Sequence, residues 1–278
     1  MQDKDLKLLH ELLIKLTEEI KRICKKNNIR YSLTGGSMIG AVRHAGFIPW
    51  DDDMDVAMLR ADYDRFIEAC KIDLGSEFEI QTFENDPYYF YGFAKILLKD
   101  TYLVQYCHEK TKHRKGIYVD IFPLDNVPDD SKKRKEHKRT NLLLVKMLTR
   151  KGKSGIEDKE SFLKFVAFHA IDVVNLFFGL DYLKQKLNQN MVKYKNDHTE
   201  YVCNMGGYYG YDKETTKREY FENTITIPFE NTEFDIIKDY DAFLTRVYGD
   251  YMKLPPVEKR HTHGFQFLDF GPYKRKNK

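Results

Sequence analysis

One stretch constrains this chain more than any other: LTGGSMIGAVRHAGFIPWDDDMDVAM, residues 33–58. Four of the five residues from Asp51 to Asp55 are aspartates, and they run straight into Val56-Ala57-Met58-Leu59. Crowded carboxylates repel one another, and placing them against apolar residues is destabilising unless cations balance them. Read as a strand, the segment puts Asp51, Asp53 and Asp55 on one face and Asp52, Met54 and Val56 on the other. A divalent ion is the natural partner of such a face, because Mg²⁺ takes a few carboxylates plus phosphate oxygens. A solvated acidic loop explains the apolar continuation less well. An EF-hand starting at Asp51 is excluded, since its sixth position would be Val56 instead of glycine and its twelfth Asp62 instead of glutamate.

The residues upstream supply a complementary half. Gly35-Gly36-Ser37 forms a turn opening a helix, which offers backbone N–H groups and a positive helix end to an anion. Gly36, Gly40 and Arg43 share one helical face, so Arg43 reaches toward the same phosphate. A third acid from a separate strand completes the set. Asp120, in GIYVDIFPLD, sits in a strongly β sequence. Its competing role is a carboxylate paired with a buried Lys or Arg.

The periodicity predicts a helix over 5–25, a strand over 29–34, a helix over 37–45, and a helix over 62–71 with Asp62 as its N-cap. Strands are expected at 78–83, 93–98 and 117–122. The first 125 residues are thus an α/β mixture. Beyond Pro128, residues 132–153 are dense in Lys and Arg, and FLKFVAFHAIDVVNLFFGL opens a mostly helical run over 162–195. That run reads as a buried or interfacial helix, because Lys164, His169 and Asp172 interrupt it. The organisation expected is a catalytic core over 1–128, a basic and apolar helical insertion over 129–200, and a C-terminal segment over 201–278 that completes the site.

A net charge of +3 over 278 residues does not call for nucleic acid. Cys24, Cys70, Cys107 and Cys203 form no CxxC pair and fit reduced thiols in a cytoplasmic protein. No secretory signal follows Met1, and no uncharged apolar run is long enough to span a bilayer.

With these motifs in place, the chain resembles the LicD family of phosphotransferases, which is related to fukutin-type proteins. GGSMIGAVRHAGFIPWDDDMDV, FAKILLKDTYLV and GIYVDIFPLD carry the likeness, and IPFENTEF, YDAFLTRVYGDYMKLPP and EKRHTH extend it into the last third. Only about 130–195 lies outside it. The resemblance implies a nucleotidyltransferase-like α/β (α+β) fold, a mixed sheet with flanking helices. It implies Gly35, Gly36 and Ser37 as the phosphate-binding turn. Asp53 and Asp55 match the metal-binding pair and Asp120 the third acid, with Asp51 in the same motif. Lys95 matches a basic position, and Leu97 stands where such sequences often carry a second basic residue.

The activity implied is transfer of a phosphorylated headgroup, phosphocholine from CDP-choline first among them, with Mg²⁺ or Mn²⁺ as cofactor and CMP released. The acceptor would be a hydroxyl of a teichoic acid, lipopolysaccharide or capsule precursor, free or lipid-linked. Asp53, Asp55 and Asp120 are the catalytic candidates. Arg43, Lys95, Arg260 and His263 are expected to contact the anionic substrate. Choline would call for aromatic faces, which Tyr88–Tyr91 with Phe93, and Tyr208, Tyr209 and Tyr211, supply in number. Residues 132–153 suit peripheral contact with anionic lipid at the inner membrane face. The alternatives are another nucleotide-linked donor (alditol phosphate, phosphoethanolamine or sugar), a non-catalytic nucleotide-binding adaptor, and transfer of the nucleotide itself.

Overall fold

The computed structural model describes residues 3–106, 108–152, 171–262 and 264–274. Helix α1 (Asp3–Lys26) opens the chain. Its spacing of three and four places Leu9, Leu13, Leu16, Ile20 and Ile23 on one fully buried face. That face packs into the same apolar core as Ile117, Val119 and Ile121 of the central strand β6 (Ile117–Val127). On β6 the pleat is legible: these three are buried, while Tyr118, Asp120 and Phe122 are half-buried on the opposite face.

Strand β2 (Asp55–Leu59) pairs parallel to β6 on one side, and β4 (Ala94–Leu98) antiparallel on the other. β1 (Ser32–Leu33) and β3 (Phe78–Gln81) extend the sheet outward, in the order β1-β2-β6-β4-β3. The end of β6, from Asp125, pairs with β7 (Tyr201–Cys203), which pairs with β8 (Thr215–Lys217). β9 (Thr224–Phe229) and β10 (Thr232–Ile237) form a hairpin beside β1. β5 (Tyr102–Gln105) and β11 (Phe265–Asp269) form a second ribbon. The mixed α/β class read from the sequence is the class observed.

Three local expectations are corrected. Residues 51–54 are not strand: the Asp51 N–H donates to the Ile48 carbonyl at 2.8 Å, and the His10 ring bonds the Asp51 carbonyl at 2.8 Å. This turn holds the acids as a loop, so strict alternation starts only at Asp55. Helix α2 (Gly35–His44) begins at the glycines and not at Ser37. Helix α3 (Arg60–Asp73) begins before Asp62, which is no N-cap and instead accepts from Arg65 at 3.0 Å.

Helix α4 (Ser131–Gly152) leaves Lys132, Lys133, Lys135 and Arg139 exposed. It packs with α5 (Leu180–Met191) around Val127, Met147, Leu148, Leu183 and Leu187. The helix expected from Phe162 lies outside the described residues as far as 170. Residues 171–175 are helical, a turn follows, and Gly179 is the N-cap of α5. Cys24, Cys70 and Cys203 are buried free thiols, and Cys107 lies outside the described residues. Among the described residues, no helix is long and apolar enough to cross a membrane.

Candidate active site

Strand register builds the centre of the site. Asp55 of β2 and Asp120 of β6 are direct partners across the parallel pair, and Lys95 of β4 is the partner of Asp120 on its other side. One row across three strands thus reads Asp55, Asp120, Lys95. The Lys95 ammonium donates to Asp120 Oδ1 at 2.5 Å. It also lies 3.3 Å from the Tyr118 ring centroid, with Tyr91 and Phe93 at 5.7 and 5.5 Å. Asp120 therefore has the buried cationic partner that an acid in an apolar strand needs, and that partner is itself a candidate site residue.

Helix α2 closes the row from above. The Asp55 N–H donates to Ser37 Oγ at 2.9 Å, and the Thr34 N–H donates to the Asp55 carbonyl at 3.0 Å. Gly35 adopts φ +59°, and a Cβ there would lie 3.0 Å from Asp55 Oδ2. A Cβ on Gly36 would lie 2.5 Å from Asp51 Oδ2. The glycines thus let the helix backbone sit against two carboxylates at once. Thr34, at the N-cap, makes no side-chain hydrogen bond to the first turn.

The acidic loop completes the cluster. Asp51, Asp52 and Asp53 each offer a carboxylate oxygen, all within 4.8 Å of one another. Asp52 is turned inward, where its Oδ2 accepts the Gly264 N–H at 3.1 Å. Tyr118, Asp52 and Asp53 face a narrow recess that shares Gly264 and Phe265 with an open cleft of about 500 Å³, lined also by Asp5, Tyr106, Thr262 and Lys274.

The electrostatics follow from this crowding. Burial pushes the Asp55 carboxyl well above its usual range, and the charges of Asp53, Asp120 and Asp51 push it further, against Lys95. Burial also raises Asp120, opposed by Lys95. Burial lowers Lys95, opposed by Asp120, Asp55 and Asp53. The donor set is all oxygen, which fits Mg²⁺ or Mn²⁺.

Arg43 and Arg260 come together although they are far apart in sequence. Burial, then the positive charge of Arg260, lowers the Arg43 guanidinium. Arg43 donates to the Tyr251 carbonyl at 2.5 Å, while Arg260 lies 5.2 Å over the Trp50 ring, beside the acidic loop. His263 lies outside the described residues.

The aromatic supply sorts itself. Tyr89 and Phe90 are core residues, Tyr91 and Phe93 surround Lys95, and Tyr211 is buried with its hydroxyl 2.8 Å from His137 Nδ1. Tyr208 and Tyr209 are exposed. Tyr248, at the end of helix α7 (Tyr240–Tyr248), stands 5.2 Å from Tyr209, ring centroid to centroid, at 88°. Its hydroxyl lies 3.7 Å from the Cβ position of Gly35. Glu214, at the end of the short helix α6 (Tyr211–Glu214), accepts the Tyr209 N–H at 3.3 Å. Burial pushes its carboxyl up to about 7, against that hydrogen bond and Lys213. Reading the residues one by one misses Tyr248 and Glu214. The only signal for Tyr248 was the TRVYGDY segment within the family likeness, and Glu214 had none.

Residues 28–143 match the family model described as LicD/FKTN/FKRP, nucleotidyltransferase domain. The chain is 33% identical over 251 residues to the lipopolysaccharide cholinephosphotransferase LicD of Haemophilus influenzae, covering 88% of this chain and 90% of that protein. It is 31% identical over 117 residues to an uncharacterised protein of Rickettsia prowazekii, covering 42% of this chain and 40% of that one. It is 30% identical over 95 residues to the mouse ribitol 5-phosphate transferase FKRP, covering 34% of this chain and 17% of that protein.

Proposed function

From the premise that this chain belongs to the LicD/FKTN/FKRP family of phosphotransferases, we propose that it transfers phosphocholine from CDP-choline to a hydroxyl of a cell-surface glycan. The observation that supports this best is the in-register Asp55–Asp120–Lys95 row beneath the N-terminus of α2. The choice of headgroup leans on the cholinephosphotransferase relative, which matches along most of both chains.

Asp53, Asp55 and Asp120, with Asp51 beside them, would hold Mg²⁺ or Mn²⁺. The ion would neutralise the diphosphate of the donor and the charge that develops during transfer. The chain's own groups do the rest. The first-turn amides of α2 receive a phosphate oxygen, and the adjacent Arg43 and Arg260 attract the anionic donor. The acceptor hydroxyl oxygen forms a bond to the phosphorus that bears the headgroup. The bond from that phosphorus to the bridging oxygen breaks, and CMP leaves with the electron pair. Asp120 takes the hydroxyl proton, and the Lys95 ammonium that donates to it opposes the rise that burial gives its proton affinity.

The test is CMP release from a panel of CDP- and UDP-linked donors with a glycan acceptor and Mg²⁺. CDP-choline should be the best substrate, and Asp53→Asn with Asp55→Asn should abolish release while leaving the fold intact. Wild-type turnover by that double variant would sink the assignment. Preference for an alditol-phosphate donor would move the chain toward its ribitol 5-phosphate transferase relatives.

A further inference from the structure

Three tyrosine rings meet beside the acidic centre at nearly right angles. Tyr208 and Tyr209 lie 5.5 Å apart at 85°, and Tyr209 and Tyr248 lie 5.2 Å apart at 88°. Perpendicular rings form the walls of a box. Their faces carry negative quadrupole density, which attracts a cation that hydrogen-bond donors and acceptors cannot grip. Tyr208 is 95% exposed and Tyr209 43%, so this aromatic surface is not consumed by the core.

We infer that Tyr209, Tyr248 and Glu214 form the subsite for the quaternary ammonium of the donor headgroup. This deepens the reading of the chain as a headgroup phosphotransferase and rests on it.

Three further observations place a cation here. The free protein already sets one on this wall: the Lys213 ammonium lies 4.5 Å from the Tyr209 ring centroid. Glu214 supplies a carboxylate at the same wall, where it accepts the Tyr209 N–H, makes no ion pair among the described residues, and is pushed by burial up to about 7 against that bond and Lys213. A headgroup cation would add countercharge to that of Lys213. Third, the subsite adjoins the chemistry. The Cβ position of Gly35 touches both Tyr248 Oη at 3.7 Å and Asp55 Oδ2 at 3.0 Å. Tyr248 and Asp55 therefore border the same residue at the start of α2.

Tyr209 belongs to a cluster that the sequence offers, whereas Tyr248 and Glu214 join it only through the fold. In the dense run at 88–93, Tyr89 and Phe90 fill the core, Tyr91 and Phe93 enclose Lys95, and the exposed Tyr88 carries Lys112 over its ring. The box is instead assembled from the loop before α6 and the end of α7.

The experiment is calorimetric titration of the full chain, with Mg²⁺, by CDP-choline, CDP-ethanolamine, CDP-ribitol and CMP. The proteins are wild type, Tyr209→Ala, Tyr209→Phe and Glu214→Gln. Wild type should bind CDP-choline most tightly. Tyr209→Ala and Glu214→Gln should each weaken CDP-choline roughly tenfold while leaving CMP and CDP-ribitol within about twofold. Tyr209→Phe should keep CDP-choline affinity, because the ring face remains. Unchanged CMP binding serves as the check that each variant is folded. If wild type transfers phosphocholine but Tyr209→Ala and Glu214→Gln bind CDP-choline as wild type does, the subsite is wrong and the activity stands. If wild type prefers CDP-ribitol, or binds no CDP-linked donor, the subsite falls with the choline reading.

Discussion

At the residue scale, the site is built from acids that the fold alone would reject. Asp55 and Asp120 sit opposite each other in neighbouring strands, and burial disfavours both charges. Lys95 relieves Asp120 directly, whereas Asp55 also faces Asp53 and Asp51. Replacing Asp55 by its neutral isostere should therefore stabilise the protein kept free of metal by a chelator. Asp55→Asn is expected to melt a few degrees above wild type under those conditions. Mg²⁺ should then raise the melting temperature of wild type and not that of the variant. Differential scanning calorimetry with and without Mg²⁺ checks both, and a lower melting temperature for the chelated variant would show that Asp55 is a structural acid. The identity of these acids was legible in the sequence, because Asp53, Asp55 and Asp120 are carboxylates in or beside strongly apolar strands. The role of Asp52 was not. It was assigned to the far face of a strand, but its carboxylate stays within reach of Asp51 and Asp53 while accepting the Gly264 amide, a contact 212 residues away in sequence.

At the scale of elements, α2 and the 82–93 loop position the site from two sides. The first works by close approach: a Cβ at Gly36 would press on Asp51 Oδ2 at 2.5 Å. Gly36→Ala should therefore lower transfer about a hundredfold with little loss of stability, since Asp51 is half-buried and can swing aside at the expense of its catalytic placement. Steady-state kinetics beside a thermal melt separates the two effects. The loop works through Asp86, which accepts from Gln81 Nε2, the Arg114 N–H and the Tyr88 N–H at 2.7, 2.8 and 2.9 Å. Burial raises the Asp86 carboxyl, but these bonds and the Arg114 guanidinium outweigh burial and hold it below the usual range. A depressed folded value means the stabilisation is complete above the unfolded aspartate value of about 3.9 and is lost as pH falls through the folded one. Asp86→Ala should cost about 2 kcal/mol in urea unfolding at pH 7, and the gap to wild type should narrow at pH 3. Element types were readable from periodicity, while boundaries were not. α2 starts at Gly35 because Gly35 accepts a positive φ, and β2 starts only at Asp55 because His10 and Ile48 tie down the Asp51 backbone.

At the scale of the whole molecule, the central sheet brings remote segments to one place. The parallel β2–β6 pair joins Asp55 to Asp120, and α7 returns Tyr248 to the same corner nearly two hundred residues later. The mixed α/β class followed from the alternation of helical and strand periods in the first 125 residues. The later strands β7 and β11 did not, because they are short, partly polar and defined by pairing with the remote strands β6 and β5 instead of by their own pattern. For the same reason Asp120 was found by its apolar context, and Glu214 and Tyr248 required the fold. The central claim is that this arrangement moves a phosphorylated headgroup and leaves the nucleotide behind. Phosphorus NMR of a reaction containing the full chain, Mg²⁺, CDP-choline and a glycan acceptor tests it most directly. The account predicts equal growth of CMP and of a glycan phosphodiester bearing choline, both absent with Asp55→Asn and Asp120→Asn. Release of free phosphocholine with the cytidylyl group on the acceptor, or equal turnover by those variants, would contradict it.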